Sequence, residues 1–137
     1  MRYFLLSICL ALVLEAKAIV IVSSKSFPLD KLTKKQVVKI YLGKIRRIKG
    51  IKIVPVNLKA DNPLRILFEK KILQKDREWL HRYWLQAHYH GHHPPKVFKS
   101  KKAALMFVKN FKGGICYLYK EDIKDKDIKI LYEEEIK

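Results

Sequence analysis

Cysteine is nearly missing from this chain. Two occur in 137 residues, Cys9 and Cys116. Cys9 sits too early in its apolar run, with Ile8 where a small residue would be needed, to serve as a lipid-attachment site. The other thiol alone cannot form an internal disulfide, so the fold must stand on its apolar core. Acidic residues are also scarce: 13 Asp and Glu face 30 Lys and Arg, for a formal charge of +17. The lysines are spread along the whole chain rather than gathered in one block, which suits solubility and attraction of anionic partners. Glycine and proline number five each, and no repeat or low-complexity tract occurs. Three catalytic signatures are missing: the Gly-x-Ser-x-Gly elbow, His-Glu-x-x-His, and the Gly-x-x-x-x-Gly-Lys phosphate loop. The pattern is that of a non-enzyme, and it implies no cofactor.

Long hydrophobic runs are limited to one. Tyr3 to Leu14 is apolar apart from Ser7, follows a single positive charge at Arg2, and ends near Ala16-Lys17-Ala18. That three-part layout predicts a secretory signal peptide over residues 1–18, cleaved after Ala18. The run is shorter than the roughly 20 apolar residues a bilayer span requires. The expected arrangement is a signal peptide, 1–18, and one α/β domain, 19–137, working in the periplasm with no stable membrane span. An exported protein rarely meets nucleic acid, so its charge does not point to that partner. Apolar residues make up 49% of the chain, enough for a packed core.

The mature part alternates between strand and helix signals. Ile19 to Val22 are four β-branched residues, a buried strand. Ser23-Ser24-Lys25-Ser26 reads as the loop after it. Thr33 and Gln36 form a capping box, Leu32 and Val37 a hydrophobic staple, and Gly43 the left-handed stop of the helix between. Ile51 to Val56 reads as a strand whose Pro55 belongs near a sheet edge. Asn62 and Pro63 open another helix with Leu64, Leu67, Phe68 and Ile72 on one face. Asp76 caps a helix carrying Trp79, Leu80, Tyr83 and Trp84, a stripe at core spacing. A loop from His88 closes on Pro94-Pro95, Val97-Phe98 suggests a short strand, and Ser100 caps a helix that Gly113-Gly114 ends. Ile115 to Tyr119 and Ile128 to Tyr132 are strands, and Glu133 to Glu135 reads as a frayed tail. Alternating elements of this kind argue for a layered α/β domain with a central mixed sheet flanked by helices.

One ordered set of pieces carries a resemblance. It runs Ile40-Tyr41-Leu42-Gly43-Lys44, Ile53-Val54-Pro55-Val56-Asn57, Pro63-Leu64-Arg65 with Phe68 and Leu73, Trp79 with Tyr83-Trp84, Pro94-Pro95, and Gly113-Gly114-Ile115-Cys116-Tyr117. This set resembles the short phosphate-binding-protein-like family, relatives of the solute-binding component of ABC phosphate transporters. The resemblance implies a single-lobe periplasmic-binding-protein-like fold and capture of phosphate or a related oxyanion outside the cytoplasm. It also implies ABC transporter membrane subunits or an envelope sensor as partners. The family's Ser, Gly and Thr at the start of the anion-receiving helix are replaced here by Ala60-Asp61-Asn62-Pro63-Leu64-Arg65.

Residue chemistry selects the same stretch. A helix start offers free N–H groups and a partial positive charge to an oxyanion, and Arg65 adds a fork suited to phosphate. Asn62 supplies an amide donor. Asp61 can accept the proton of monohydrogen phosphate. Ser23 and Ser24 follow a strand's carboxyl end, where α/β folds place ligands. The candidate oxyanion set is therefore Ser23, Ser24, Asp61, Asn62 and Arg65. A competing set is His88, His90, His92 and His93, with His81 before them, whose imidazoles suit a transition metal. A third reading is a basic interaction module that docks on an envelope partner. Cys116, set among apolar and aromatic residues of a strand, reads as an inert buried thiol.

Overall fold

The computed structural model describes residues 17–136. The expected signal peptide falls outside them except for Lys17 and Ala18. Among these described residues, seven strands and four α-helices follow one another as β1 (Ala18–Ser24), α1 (Lys34–Tyr41), β2 (Arg47–Ile48), β3 (Ile51–Lys52), β4 (Val54–Leu58), α2 (Pro63–Phe68), α3 (Arg77–His88), β5 (Lys96–Phe98), α4 (Lys101–Asn110), β6 (Gly114–Tyr119) and β7 (Ile128–Glu135). The main sheet has the order β5-β4-β6-β1-β7. β4 runs parallel to both β5 and β6, whereas β1 runs antiparallel to both β6 and β7. β2 and β3 form a separate small hairpin. No helix among the described residues is long and apolar enough to cross a membrane.

Capping chemistry sets the helix starts. Thr33 Oγ1 accepts from Gln36 N at 3.1 Å, and Gln36 Oε1 accepts from Thr33 N at 2.8 Å, the reciprocal pair expected from the sequence. Leu32 and Val37 are both buried. Gly43, with φ +74°, takes the left-handed turn just beyond the helix. Asn62, Asp76 and Ser100 cap α2, α3 and α4 through their side chains. α2 continues as a π-helical stretch, Glu69–Leu73, which stops at Gln74 with φ 56°.

Both faces of the sheet are covered. Tyr117 on β6 stacks on Phe68 at 4.0 Å between ring centroids, and Tyr41 packs on Phe68 at 4.7 Å. That face therefore belongs to α1 and α2. Side chains alternate along a strand, so Gly114, Cys116 and Leu118 look the other way. A Cβ at Gly114 would stand 3.3 Å from Val108 Cα, which places α4 on that second face. The two layers explain why every residue of β1 is buried.

Three expectations change. Ser23 and Ser24 are not the loop after β1 but its last two residues, paired to Lys129 and Ile128 on β7. The run Ile51 to Val56 is broken: Ile51 and Lys52 belong to the hairpin, and the sheet strand begins at Val54. Pro55 lies on a strand between two neighbours, yet β5 pairs only from Val56 onward, so the outer side of Pro55 has no ladder partner. Glu133 to Glu135 is no frayed tail but the end of β7, paired to Ala18–Val20. Lys34 holds Glu134 at 2.7 Å and Lys120 holds Glu133 at 2.6 Å, which turns an acidic terminus into a stable edge.

Burial also sets an alkaline limit. Burial raises the Tyr41 phenol well above its ordinary 10.0, with Cys116 and Tyr117 nearby adding to the effect. It raises Tyr117 as well, against the opposing pull of the Leu58 N–H and Arg65. The Cys116 thiol is pushed from 9.0 up to about 12 by burial. Groups whose folded pKa is raised give stability that is complete below the unfolded value and lost as pH climbs through the folded one. Stability is thus expected to fall from about pH 9 toward pH 12. Absorbance at 295 nm should show Tyr41 and Tyr117 ionising only as far-UV circular dichroism collapses. A thiol reagent should reach Cys116 only in the same step. Full phenolate formation near pH 10 with the dichroism intact would contradict the burial.

Candidate functional site

The parallel strands mark the candidate ligand-binding end of the sheet. β4 connects through α2 and α3 to β5, and β5 connects through α4 back to β6 on β4's other side. Right-handed crossovers send those two connections over opposite faces. The gap between the carboxyl ends of β4 and β5 is therefore a switch point, the place where open α/β sheets receive ligands. Asn57, Leu58 and the turn Lys59–Asn62 lie there, and Arg65 follows one turn into α2.

A charged and hydrogen-bonded network fills this end. Glu69 is buried at 6% exposure. Its Oε2 accepts from Arg65 Nε at 3.1 Å and its Oε1 from Arg77 Nε at 2.6 Å. Arg65 Nη1 also donates to Leu58 O at 2.9 Å, and Arg77 Nη2 to Ala60 O at 2.5 Å. The two guanidiniums thereby tie α2 and α3 to the end of β4. Tyr117 Oη donates to Asn57 Oδ1 at 2.5 Å and accepts from Leu58 N at 3.0 Å. Two cations against one carboxylate leave a net positive centre. A cavity of about 130 Å³ adjoins it, lined by Asn57, Arg65, Glu69, Trp84 and Pro94 among others.

The sequence-derived oxyanion set divides between the two ends of the sheet. Asp61, Asn62 and Arg65 stand at the carboxyl end of β4. Asn62 Oδ1 already accepts from Leu64 N at 2.9 Å, so that helix N–H is not free for a ligand. Asp61 is exposed. Ser23 and Ser24 stand elsewhere. Ser23 pairs with Ile115, and Ile115 with Pro55, so the serines are level with the start of β4. Three residues of strand, roughly 10 Å, separate that level from Leu58. The reason is strand direction: β1 is antiparallel to β6, so its carboxyl end is the amino end of the parallel strands. The Ser23 hydroxyl is buried and donates to Ser24 O at 3.0 Å, and Ser24 Oγ meets Ser26 Oγ at 3.0 Å.

The histidines do not converge as a metal set. His88 and His93 have ring centroids 5.9 Å apart, and His92 Nδ1 lies 2.9 Å from Arg46 Nη1. Among the described residues no group of three or more His, Cys, Asp or Glu side chains is arranged to hold a metal ion. The aromatic stripe of α3 is only partly core. Leu80 is buried, while Trp79, Tyr83 and Trp84 are half-buried. Trp84 walls both the small cavity and a larger cleft of about 350 Å³. Sequence reasoning missed Glu69, Arg77 and Asn57. Glu69 lies four residues after Arg65, a helical pairing distance, which was the available signal.

Solved structures match the fold of this chain. An ABC-type phosphate transport receptor from Vibrio cholerae aligns over 85% of this chain and 46% of its own, with 20% identity and a TM-score of 0.66. This is the fold of the phosphate receptors. A phosphate ABC transporter substrate-binding protein with bound phosphate, from Clostridium perfringens, aligns over 85% and 45%, at 20% identity and a TM-score of 0.68. PstS from Borrelia burgdorferi aligns over 85% and 47%, at 17% identity and a TM-score of 0.64. The chain spans a little under half the length of each of these receptors. No protein-family model matches it, and no curated protein matches it. The single-lobe periplasmic-binding-protein-like fold expected from the sequence is therefore the observed one.

Proposed function

We propose that this chain is an extracytoplasmic solute-binding domain that captures phosphate or a related oxyanion, in the service of ABC-type uptake or sensing. The observation that carries the reading is the positive centre of Arg65, Arg77 and Glu69 at the switch point of a phosphate-receptor fold. Arg65 is the charge that meets the anion, through the Nη2 end of its fork. Asn62 offers its amide N–H and Asp61 accepts the proton of monohydrogen phosphate. Ser23 and Ser24 take no part. Glu69 competes with the ligand for Arg65, so binding is weak. The matched structures are described as a transport receptor and a substrate-binding protein, which supports a non-catalytic role. A signal peptide cut after Ala18 leaves Ile19–Ser24 of β1 in place for a periplasmic protein.

Calorimetric titration of residues 19–137 with phosphate at low ionic strength tests the reading. Binding at millimolar phosphate is expected, and Arg65→Ala should weaken it at least tenfold, as befits loss of a charge-assisted contact worth about 1.5–3 kcal/mol. The proposal fails if phosphate produces neither heat nor a thermal shift. The inward pairing of Arg65 with Glu69 favours one other reading, a basic module that docks on an acidic envelope partner. Binding to that partner would weaken steeply with salt and ignore phosphate.

A further inference from the structure

We propose that the 350 Å³ cleft is a second binding site, one that takes a small molecule bearing an oxyanion on a flat apolar body, such as an aryl carboxylate or aryl phosphate. Arg65 does not line it: the cleft lies at the amino ends of β4 and β5, between the turn after α1 and the loop after α3, and shares the Trp84 and Pro94 wall with the smaller cavity. Its size falls within the range of small-molecule pockets.

Charge and shape both select the ligand. Arg46, Lys52 and Lys96 line the cleft, and no carboxylate does so among the described residues. None of the three cations forms an ion pair among the described residues, but the Lys96 ammonium lies 5.9 and 6.0 Å over the Phe98 and Phe107 rings, so Arg46 and Lys52 are the charges left to meet an anion. Arg46 instead meets His92 Nδ1 at 2.9 Å. The ring brings no negative charge, so this contact orients the guanidinium without pairing it to a carboxylate, and the rest of the fork is left for an anion. The Arg46 backbone is fixed in turn, because its carbonyl accepts from Ile53 N at 2.9 Å. The remaining wall is apolar and flat. Trp84 and Pro94 face the space, and Gly43 lets the indole come close: a Cβ there would stand 3.4 Å from Trp84 Cη2. A bare inorganic anion would leave this apolar wall unused, whereas an aromatic ring covers it.

The chain has two tryptophans, so Trp79→Phe leaves Trp84 as the sole indole reporter in the cleft. Fluorescence titration with phenyl phosphate, benzoate, benzyl alcohol and inorganic phosphate then separates the requirements. Saturable change is expected with the two aryl anions, at affinities at least roughly tenfold above those for benzyl alcohol. Arg46→Gln should weaken the aryl anions roughly tenfold, and Lys52→Gln, on the facing segment, gives an independent second variant. Equal affinity for benzyl alcohol, no effect of either variant, or no saturable change at millimolar aryl anion would each overturn the proposal. Inorganic phosphate binding that depends on Arg65 belongs to the other end of the sheet. Its absence would sink the phosphate reading and leave this one standing.

Discussion

Glu69→Gln should lower the stability of this protein by about 3 kcal/mol and its melting midpoint by roughly 10 °C. The carboxylate is buried and receives Arg65 and Arg77 at 3.1 and 2.6 Å. Glutamine keeps the shape but leaves two guanidiniums facing one another without a counter-charge. Removing one partner of a buried ion pair costs about 3–5 kcal/mol. The lower end applies because the Arg77 side chain remains 44% exposed, where water screens part of the loss. The same change frees Arg65. If the oxyanion reading holds, phosphate affinity should rise roughly tenfold even as the fold weakens. Chemical denaturation and calorimetry together read both effects. A stability loss below about 1 kcal/mol would mean that the pair is no more than a surface contact.

Gly113→Ala should be about as damaging, for a reason of space alone. A Cβ at this position would lie 1.8 Å from the Lys52 carbonyl oxygen and 2.9 Å from its carbon. Both are backbone atoms and cannot swing aside. Val54 N donates to Gly113 O at 2.8 Å in the same place, so the start of the β4–β6 pairing must shift as well. Overpacking of this severity costs about 3 kcal/mol or more. Gly114→Ala is the internal control. Its Cβ would meet Phe111 O and Val108 Cα at 3.3 Å, tight contacts but tolerable ones, for about 1 kcal/mol. Thermal unfolding of the two variants should rank them in that order. Equal midpoints would mean that the approach of β6 to Lys52 is looser than the geometry describes.

Much of the scaffold was legible before folding. Thr33–Gln36, Asn62–Leu64, Asp76–Trp79 and Ser100–Ala103 are contacts between residues two or three apart, and each appears as expected. The apolar spacing likewise marks Leu64, Leu67, Phe68 and Ile72, of which Leu67 is half-buried and the other three are buried. The candidate site was legible only in part. Arg65 was selected for its charge and its position near a helix start. Arg77, which completes the pairing of Glu69, comes from another helix, and no local pattern joins them. Ser23 and Ser24 were placed with Asn62 because both stretches follow strands. Only strand direction reveals that they stand at opposite ends of the sheet.

The residues alone determined where the helices begin, which residues of α2 face the core, and that a lone thiol would be buried. Those properties act over three or four positions of one chain segment, within reach of a side chain and its own backbone. Tertiary structure decided the order of the strands, the pairing of Glu133–Glu135 along β1, the addition of Arg77 to the Arg65–Glu69 pair, and the cleft between Arg46 and Trp84. These depend on ladder register and on loops brought together from positions roughly 40 residues apart. No local rule of propensity or capping acts over that distance.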